Sequence, residues 1–236
     1  PDSAFIYSSM ITPYIDSFAS RDSYSVTKTE KSTRLFFANK TIAELVKLAV
    51  YRNPSSDYGD KLLELDVTDS KRYLRPRSKA DLFYNLSELA FCYEVILPPD
   101  RSIDDAFSFM LEDLQRYFKI KISTKQKNVK CLVVEKLKNG PDKSIKGESV
   151  YKNEDSEKSS NLILKHNNHR LVTSFLNKHN YPYVVDQVKI DYPIDINLSI
   201  PVEYDFKTLK EAINKSGLDV TERMLSQNIL VISEFQ

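Results

Sequence analysis

The stretch Ser102 to Lys136, SIDDAFSFMLEDLQRYFKIKISTKQKNVKCLVVEK, decides how the rest of the chain is read. Ser102 followed by Asp105 is a capping pattern: the serine oxygen satisfies a free N–H of the first helical turn, and the acid sits at the positive dipole end. Behind it Ala106, Phe107, Met110, Leu111, Leu114 and Phe118 recur at helical spacing, giving one apolar face that must be buried. Ile120 and Ile122 then alternate with lysines, the polar run Thr124 to Asn128 reads as a turn, and Val129–Val134 has the β-branched composition of a strand. The stretch predicts a helix followed by a hairpin.

The same order returns from Asp205. Phe206, Leu209, Ala212 and Ile213 form a helix stripe, and Gly217 stands where a left-handed residue ends a helix. Leu218 and Val220, a polar turn, and Ile229–Ile232 complete a second hairpin. Ile122 and Val220 are 98 residues apart, as are Leu132 and Leu230. The chain therefore reads as an α+β fold with two related α-β-β modules, its helices packed on mixed or antiparallel sheets.

Outward from these modules, Pro1–Ser32 lacks a sustained period and reads as a connecting arm, with Phe5, Ile6 and Tyr7 as a candidate edge strand. Thr33–Ala38 reads as a strand, and Thr41 with Glu44 forms a capping box for a helix with Ile42, Leu45, Val46 and Ala49 on one side. Leu63, Leu65 and Val67 alternate with acids as a strand does, Ser78 and Asp81 cap a short helix to about Leu89, and Phe91–Leu97 is a strand closed by Pro98-Pro99. Asn139–Ser160 is polar with Val150-Tyr151 as its only apolar pair, so it reads as a mobile loop. Beyond it come a strand at Leu162–Leu164, a helix stripe of Leu171, Val172, Phe175 and Leu176, and a strand at Tyr183–Val185. Ile194, Ile196, Leu198 and Ile200 then alternate strictly with polar residues. The expected organisation is an arm over 1–32, a first half over 33–138, the loop over 139–160 and a second half over 161–236.

The 236 residues suffice for one domain or two, and the 41% hydrophobic share is globular. A formal charge of +1, from 34 basic and 33 acidic residues, supplies no field that would argue for nucleic acid. The four glycines are not spaced as a phosphate-cradling loop, and no apolar run approaches the roughly 20 residues of a membrane span. No cofactor is indicated. Opening at Pro1 without an initiator Met, the sequence reads as a processed chain or an excised piece.

Candidate chemistry is sparse. Cys92 and Cys131 fall in separate strands, where each can be a buried free thiol or the two can form a cross-strand disulfide; no C-x-x-C exists for thiol–disulfide catalysis. His166 and His169 could share a metal, yet no third ligand is evident and the pair reads as the polar start of a helix; no metal site is assigned. His179 sits where a helix ends and suits the dipole there. Asp104-Asp105 belongs to a helix N-terminus, and Glu112-Asp113 falls on the wet face of the same helix. The basic stretch Lys71–Lys79 could bind a phosphate-bearing or acidic ligand, but neighbouring carboxylates balance it and it reads as a solvated loop. With no G-x-S-x-G, H-E-x-x-H or P-loop, no catalytic residue is named. The tyrosines, including Tyr7, Tyr24, Tyr73, Tyr84, Tyr93, Tyr181 and Tyr204, either cover sheet edges or form a recognition face.

Asn39–Leu45, Ala90–Pro98, Met110–Phe118, Val129–Val134, Tyr183–Asp186 and the closing Leu209–Ile232 together resemble a soil-associated family of bacterial envelope domains without known activity. Such domains follow TlpA-type thioredoxin domains or accompany BlaR-type membrane peptidases. The last module is also similar to the short N-terminal domains of secretins and TonB-dependent receptors. Gln187-Val188-Lys189 replaces the family's glycine-containing turn after the valine-valine-aspartate strand.

The resemblance implies a periplasmic or envelope-associated, non-catalytic interaction module, the C-terminal partner of a thioredoxin-like domain or of another envelope protein. It implies an oxidising compartment too, which favours the Cys92–Cys131 disulfide. From a different class, an enzyme or binding domain acting on a cell-wall or saccharide ligand is the alternative; a structural spacer is the third.

Overall fold

The computed structural model describes residues 7–18, 24–52, 60–76, 86–145, 147–156 and 158–235. Among them are eleven strands and five helices in mixed sheets, an α+β fold. They gather into two compact units, the first from the described residues of Pro1–Ser56, Glu64–Thr124 and Leu230–Gln236, the second from those of Asp57–Leu63 and Lys125–Ile229.

In the first unit, β1 (Ser8–Pro13), β2 (Tyr24–Lys28), β3 (Thr33–Thr41) and β5 (Ala90–Leu97) form an antiparallel sheet in the order β1-β5-β3-β2. The segment expected to be a connecting arm thus supplies two strands. Phe5 and Ile6 lie outside the described residues, and Tyr7 immediately precedes β1. Helices α1 (Ile42–Tyr51) and α3 (Ile103–Phe118) bury Leu45, Val46, Phe107, Met110 and Leu114 with Leu35, Phe37 and Tyr93 of the strands. Both expected capping boxes form: Thr41 and Ser102 accept from the N–H of Glu44 and Asp105, whose carboxylates accept in return. Between them lie β4 (Leu63–Asp66) and α2 (Leu86–Leu89); the Ser78–Asp81 cap lies outside the described residues.

The second unit is built on β10 (Ile194–Pro201), β8 (Ser159–Asn167) and β7 (Val150–Asp155), antiparallel in that order. β10 alternates between buried isoleucine or leucine and exposed Asp195, Asn197 and Ser199 over Ile194–Ile200, as its sequence predicts. β7 lies inside the expected mobile loop. An edge strand needs backbone partners more than burial, and Lys152, Glu154 and Asp155 are compatible with an open edge. Helices α4 (Arg170–Lys178) and α5 (Phe206–Lys215) bury Val172, Phe175, Leu176, Leu209 and Ile213.

The two expected hairpins do not form. β6 (Ile120–Lys136) and β11 (Leu218–Glu234) each run unbroken for 17 residues. Neither polar run contains a glycine or proline to reverse the chain, and Thr124–Asn128 stays exposed while the neighbouring strand satisfies the backbone. The bracketing bonds, Leu137 N–H to Gly217 C=O and Phe235 N–H to Lys119 C=O, fix β6 and β11 as antiparallel. With β9 (Tyr183–Asp186), parallel to Cys131–Val134, they complete a sheet in the order β4-β11-β6-β9. Among the described residues no helix is long and apolar enough to cross a membrane.

Candidate functional site

Asp113 is the most consequential polar residue of the first unit. Expected on the wet face of its helix, it is only 6% exposed and faces β5. Tyr93 donates to Oδ2 at 3.0 Å, Tyr7 donates to the same oxygen at 3.2 Å, and Arg116 Nη2 donates to Oδ1 at 2.8 Å. Burial, then the neighbouring carboxylate, holds the Tyr93 hydroxyl far above the ordinary tyrosine range; burial is also the main cause that raises Tyr7. Three donors on one buried acid make a structural clamp between α3, β5 and the chain before β1. Glu112 stays exposed. Asp105 is engaged in its cap, and Asp104 pairs with Arg52 at 2.9 Å.

The two cysteines are both free and buried. Cys92, in the first unit, donates to Asn39 Oδ1 at 3.3 Å and its sulfur accepts from the Asn39 N–H at 3.4 Å. Cys131, in the second, lies 3.6 Å from the Val129 carbonyl, and burial pushes its thiol up. Each thiol behaves as a small apolar side chain with a weak local hydrogen bond.

His166 and His169 have different partners. The backbone N–H of His166, at φ +46°, donates to Asp195 Oδ1 at 2.7 Å, while its ring Nδ1 lies 3.4 Å from the Ser144 hydroxyl. His169 is buried, with Nε2 3.5 Å from Asp186, a carboxylate that also accepts from Thr173 at 3.4 Å. No three potential metal ligands gather among the described residues. Ser144, His166 and Asp195 come nearest to a nucleophilic trio. There, however, the carboxylate is held low mainly by the His166 backbone N–H and then by the Ser144 hydroxyl, so it does not orient the imidazole as a relay requires.

His179 departs from its expected role at the helix end. Its ring packs edge-on against Phe175 at 4.8 Å between centroids and lies tilted against Tyr181 at 5.7 Å, and burial lowers its pKa. In the basic stretch, Arg75 is engaged internally, donating from Nε and Nη2 to the two oxygens of Glu44 at 2.9 Å each. Arg77 and Lys79 lie outside the described residues.

Of the twelve described tyrosines three, Tyr73, Tyr93 and Tyr181, are buried, and Tyr7, Tyr24, Tyr117 and Tyr151 are exposed. Tyr73 and Tyr181 are buried; the first donates to Glu234 at 3.1 Å and the second to the Pro201 carbonyl, and burial raises both hydroxyls to about 12. Tyr204 donates to Glu222 at 2.5 Å. Tyr84 lies outside the described residues.

At the end of α3 one exposed ring joins two half-buried ones. Tyr117, 56% exposed, packs edge-on to Phe118 at 4.9 Å, and Phe118 packs edge-on to Phe91 at 4.8 Å. Phe91 pairs with the exposed Pro13 across β1 and β5, and Phe235, 63% exposed, is fixed beside Lys119 by its backbone bond. The sequence marks these rings individually but gives no sign that they meet. No family model, curated protein or solved structure matches the chain.

Proposed function

We propose that this chain is a non-catalytic interaction module of a bacterial envelope protein. It docks an attached thioredoxin-like domain or another envelope protein through the aromatic patch of Phe91, Tyr117 and Phe118. The observation that carries this function is the exposure of Tyr117 edge-on to Phe118, which packs in turn edge-on to Phe91, since aromatic rings with wet hydroxyls are the side chains that protein interfaces concentrate. The compartment and the thioredoxin-like partner rest on the family resemblance alone.

The two helix-strand segments are proposed as copies of one module. In support, Ile120 and Leu218 open strands of equal length 98 residues apart, and the left-handed Lys119 and Gly217 precede them at the same interval.

A photo-crosslinking residue at position 117 should trap one protein reproducibly from intact envelopes, and the same probe at exposed Glu211 should not. An adduct pattern common to both positions, or none at 117, would remove the patch as a docking surface.

A further inference from the structure

Asn139 is the one asparagine of the chain that is followed by glycine. It is exposed in the turn after β6, and its side-chain amide makes no hydrogen bond among the described residues. Asn39, by contrast, is buried with both ends of its amide engaged. Gly140 has no Cβ to shield its own backbone nitrogen, and its backbone freedom lets that nitrogen turn onto the preceding side chain.

We infer that Asn139 is a modification site, at which the chain deamidates through a cyclic imide. The Gly140 nitrogen gives its proton to hydroxide and attacks Asn139 Cγ. The Cγ–Nδ2 bond breaks, and the side-chain nitrogen takes a proton from water and leaves as ammonia. Water then opens the succinimide at either carbonyl, giving aspartate or isoaspartate, and nothing is oxidised or reduced. The two products differ in what they do to the fold. Isoaspartate routes the main chain through the side-chain carbon and lengthens it by one atom inside a turn that is held on both sides. Leu137 N–H donates to the Gly217 carbonyl at 3.2 Å, and the Pro141 carbonyl accepts from Tyr192 at 3.3 Å. Behind the turn, even a Cβ on Gly217 would meet the Pro141 nitrogen at 2.6 Å and the Gly140 carbonyl carbon at 2.9 Å, so the longer chain has no slack there. Aspartate keeps the main chain and adds only a carboxylate between the exposed Lys136 and Lys138. Isoaspartate therefore loosens the end of β6, and aspartate does not. This inference goes beyond the proposed docking function and does not depend on the Tyr117 patch.

Peptide mapping of the full chain after incubation in mildly alkaline buffer tests it. Asn139 should convert from amide to acid before any other described asparagine, with an isoaspartyl fraction that an isoaspartyl methyltransferase labels from radioactive S-adenosylmethionine. Asn139→Gln, which would need a larger ring, should lose both signals. Gly140→Ala should slow the conversion by at least about tenfold, because its Cβ shields the attacking nitrogen. The atoms nearest to that Cβ belong to the Lys136 side chain, which can move, so the variant keeps the fold. Separated isoaspartyl protein should melt below the wild type, whereas Asn139→Asp should melt with it. A folded chain that stays amidated at 139 while the urea-unfolded chain converts, or a rate indifferent to Gly140→Ala, would overturn the inference. An isoaspartyl form that melts with the wild type would overturn it as well. None of these outcomes bears on photo-adducts at position 117, so either reading can fall while the other stands.

Discussion

Asn39 holds Ile15 by both of its backbone polar groups: Oδ1 accepts from the Ile15 N–H at 3.0 Å, and Nδ2 donates to the Ile15 carbonyl at 2.9 Å. One side chain thereby imitates a neighbouring strand where β1 has ended, and Nδ2 also reaches the Phe18 carbonyl at 2.8 Å. Asn39 does this at φ +52°, next to the register shift between Phe37 and Lys40, in a conformation that asparagine tolerates better than most residues. Asn39→Ala should therefore cost about 2–3 kcal/mol, because it strands backbone groups and retains the unfavourable φ. Urea unfolding measures the loss, and hydrogen exchange should show Ile15 losing protection before the centre of β3.

Gly217 is the position where backbone freedom is obligatory. Its φ is +79°, and an added Cβ would come within 2.6 Å of the Pro141 nitrogen and 2.9 Å of the Gly140 carbonyl carbon, backbone atoms that cannot swing aside. Gly217→Ala should destabilise by about 2 kcal/mol or more, combining the left-handed penalty with that clash. Gly147→Ala meets nothing within 4 Å and should be nearly neutral. A thermal melt of the two variants side by side is the check.

Local signals in the sequence carried furthest. The capping boxes at Thr41 and Ser102 are four-residue patterns whose partners are three positions away, and the alternation of β10 is complete within Ile194–Ile200. Asp113 was illegible for the opposite reason. Its tyrosine partners lie 20 and 106 positions away, and helical spacing alone assigns it to water. The long strands read as hairpins in the sequence because their apolar ends flank polar middles, a pattern that a hairpin and an exposed ribbon share. The aromatic patch joins Phe91 of a strand to Tyr117 and Phe118 of a helix, a meeting that only the tertiary packing produces.

His179 makes stability depend on pH through burial. Its pKa is lowered from 6.5 first by desolvation against Phe175 and Tyr181; Asp155 opposes the shift, and Lys61 and Lys178 add to it. A folded-state value below the unfolded one means that the unfolded chain takes up the proton first. The contribution to stability is thus complete above about pH 6.5 and declines as the pH falls below it. His179→Phe keeps an edge-on ring and removes the titration. Denaturant unfolding at pH 7.5 and 5.5 should show a smaller acid loss in the variant than in the wild type, and equal losses would refute the assignment.

Glu44 and Arg75 form a two-pronged, largely buried ion pair in the first unit. Burial by itself would raise the Glu44 carboxyl, but the two-pronged Arg75 guanidinium and the Thr41 backbone N–H outweigh it, leaving the pKa below 4.5. Arg75 also donates to the Asn39 carbonyl at 3.1 Å, so the pair connects the N-terminus of α1 to the strand bulge. Arg75→Met leaves a largely buried carboxylate without its counter-charge, which costs about 2–3 kcal/mol at neutral pH, more than an exposed ion pair would. Because the folded pKa is depressed, the wild-type contribution is present above about pH 4.5 and disappears as the pH falls through the folded value. Arg75→Met and wild type should accordingly converge in stability on acidification, and a double-mutant cycle with Glu44→Gln should return a coupling that shrinks over the same range. A gap between wild type and Arg75→Met that persists unchanged at pH 3 would assign the loss to packing of the arginine stem instead.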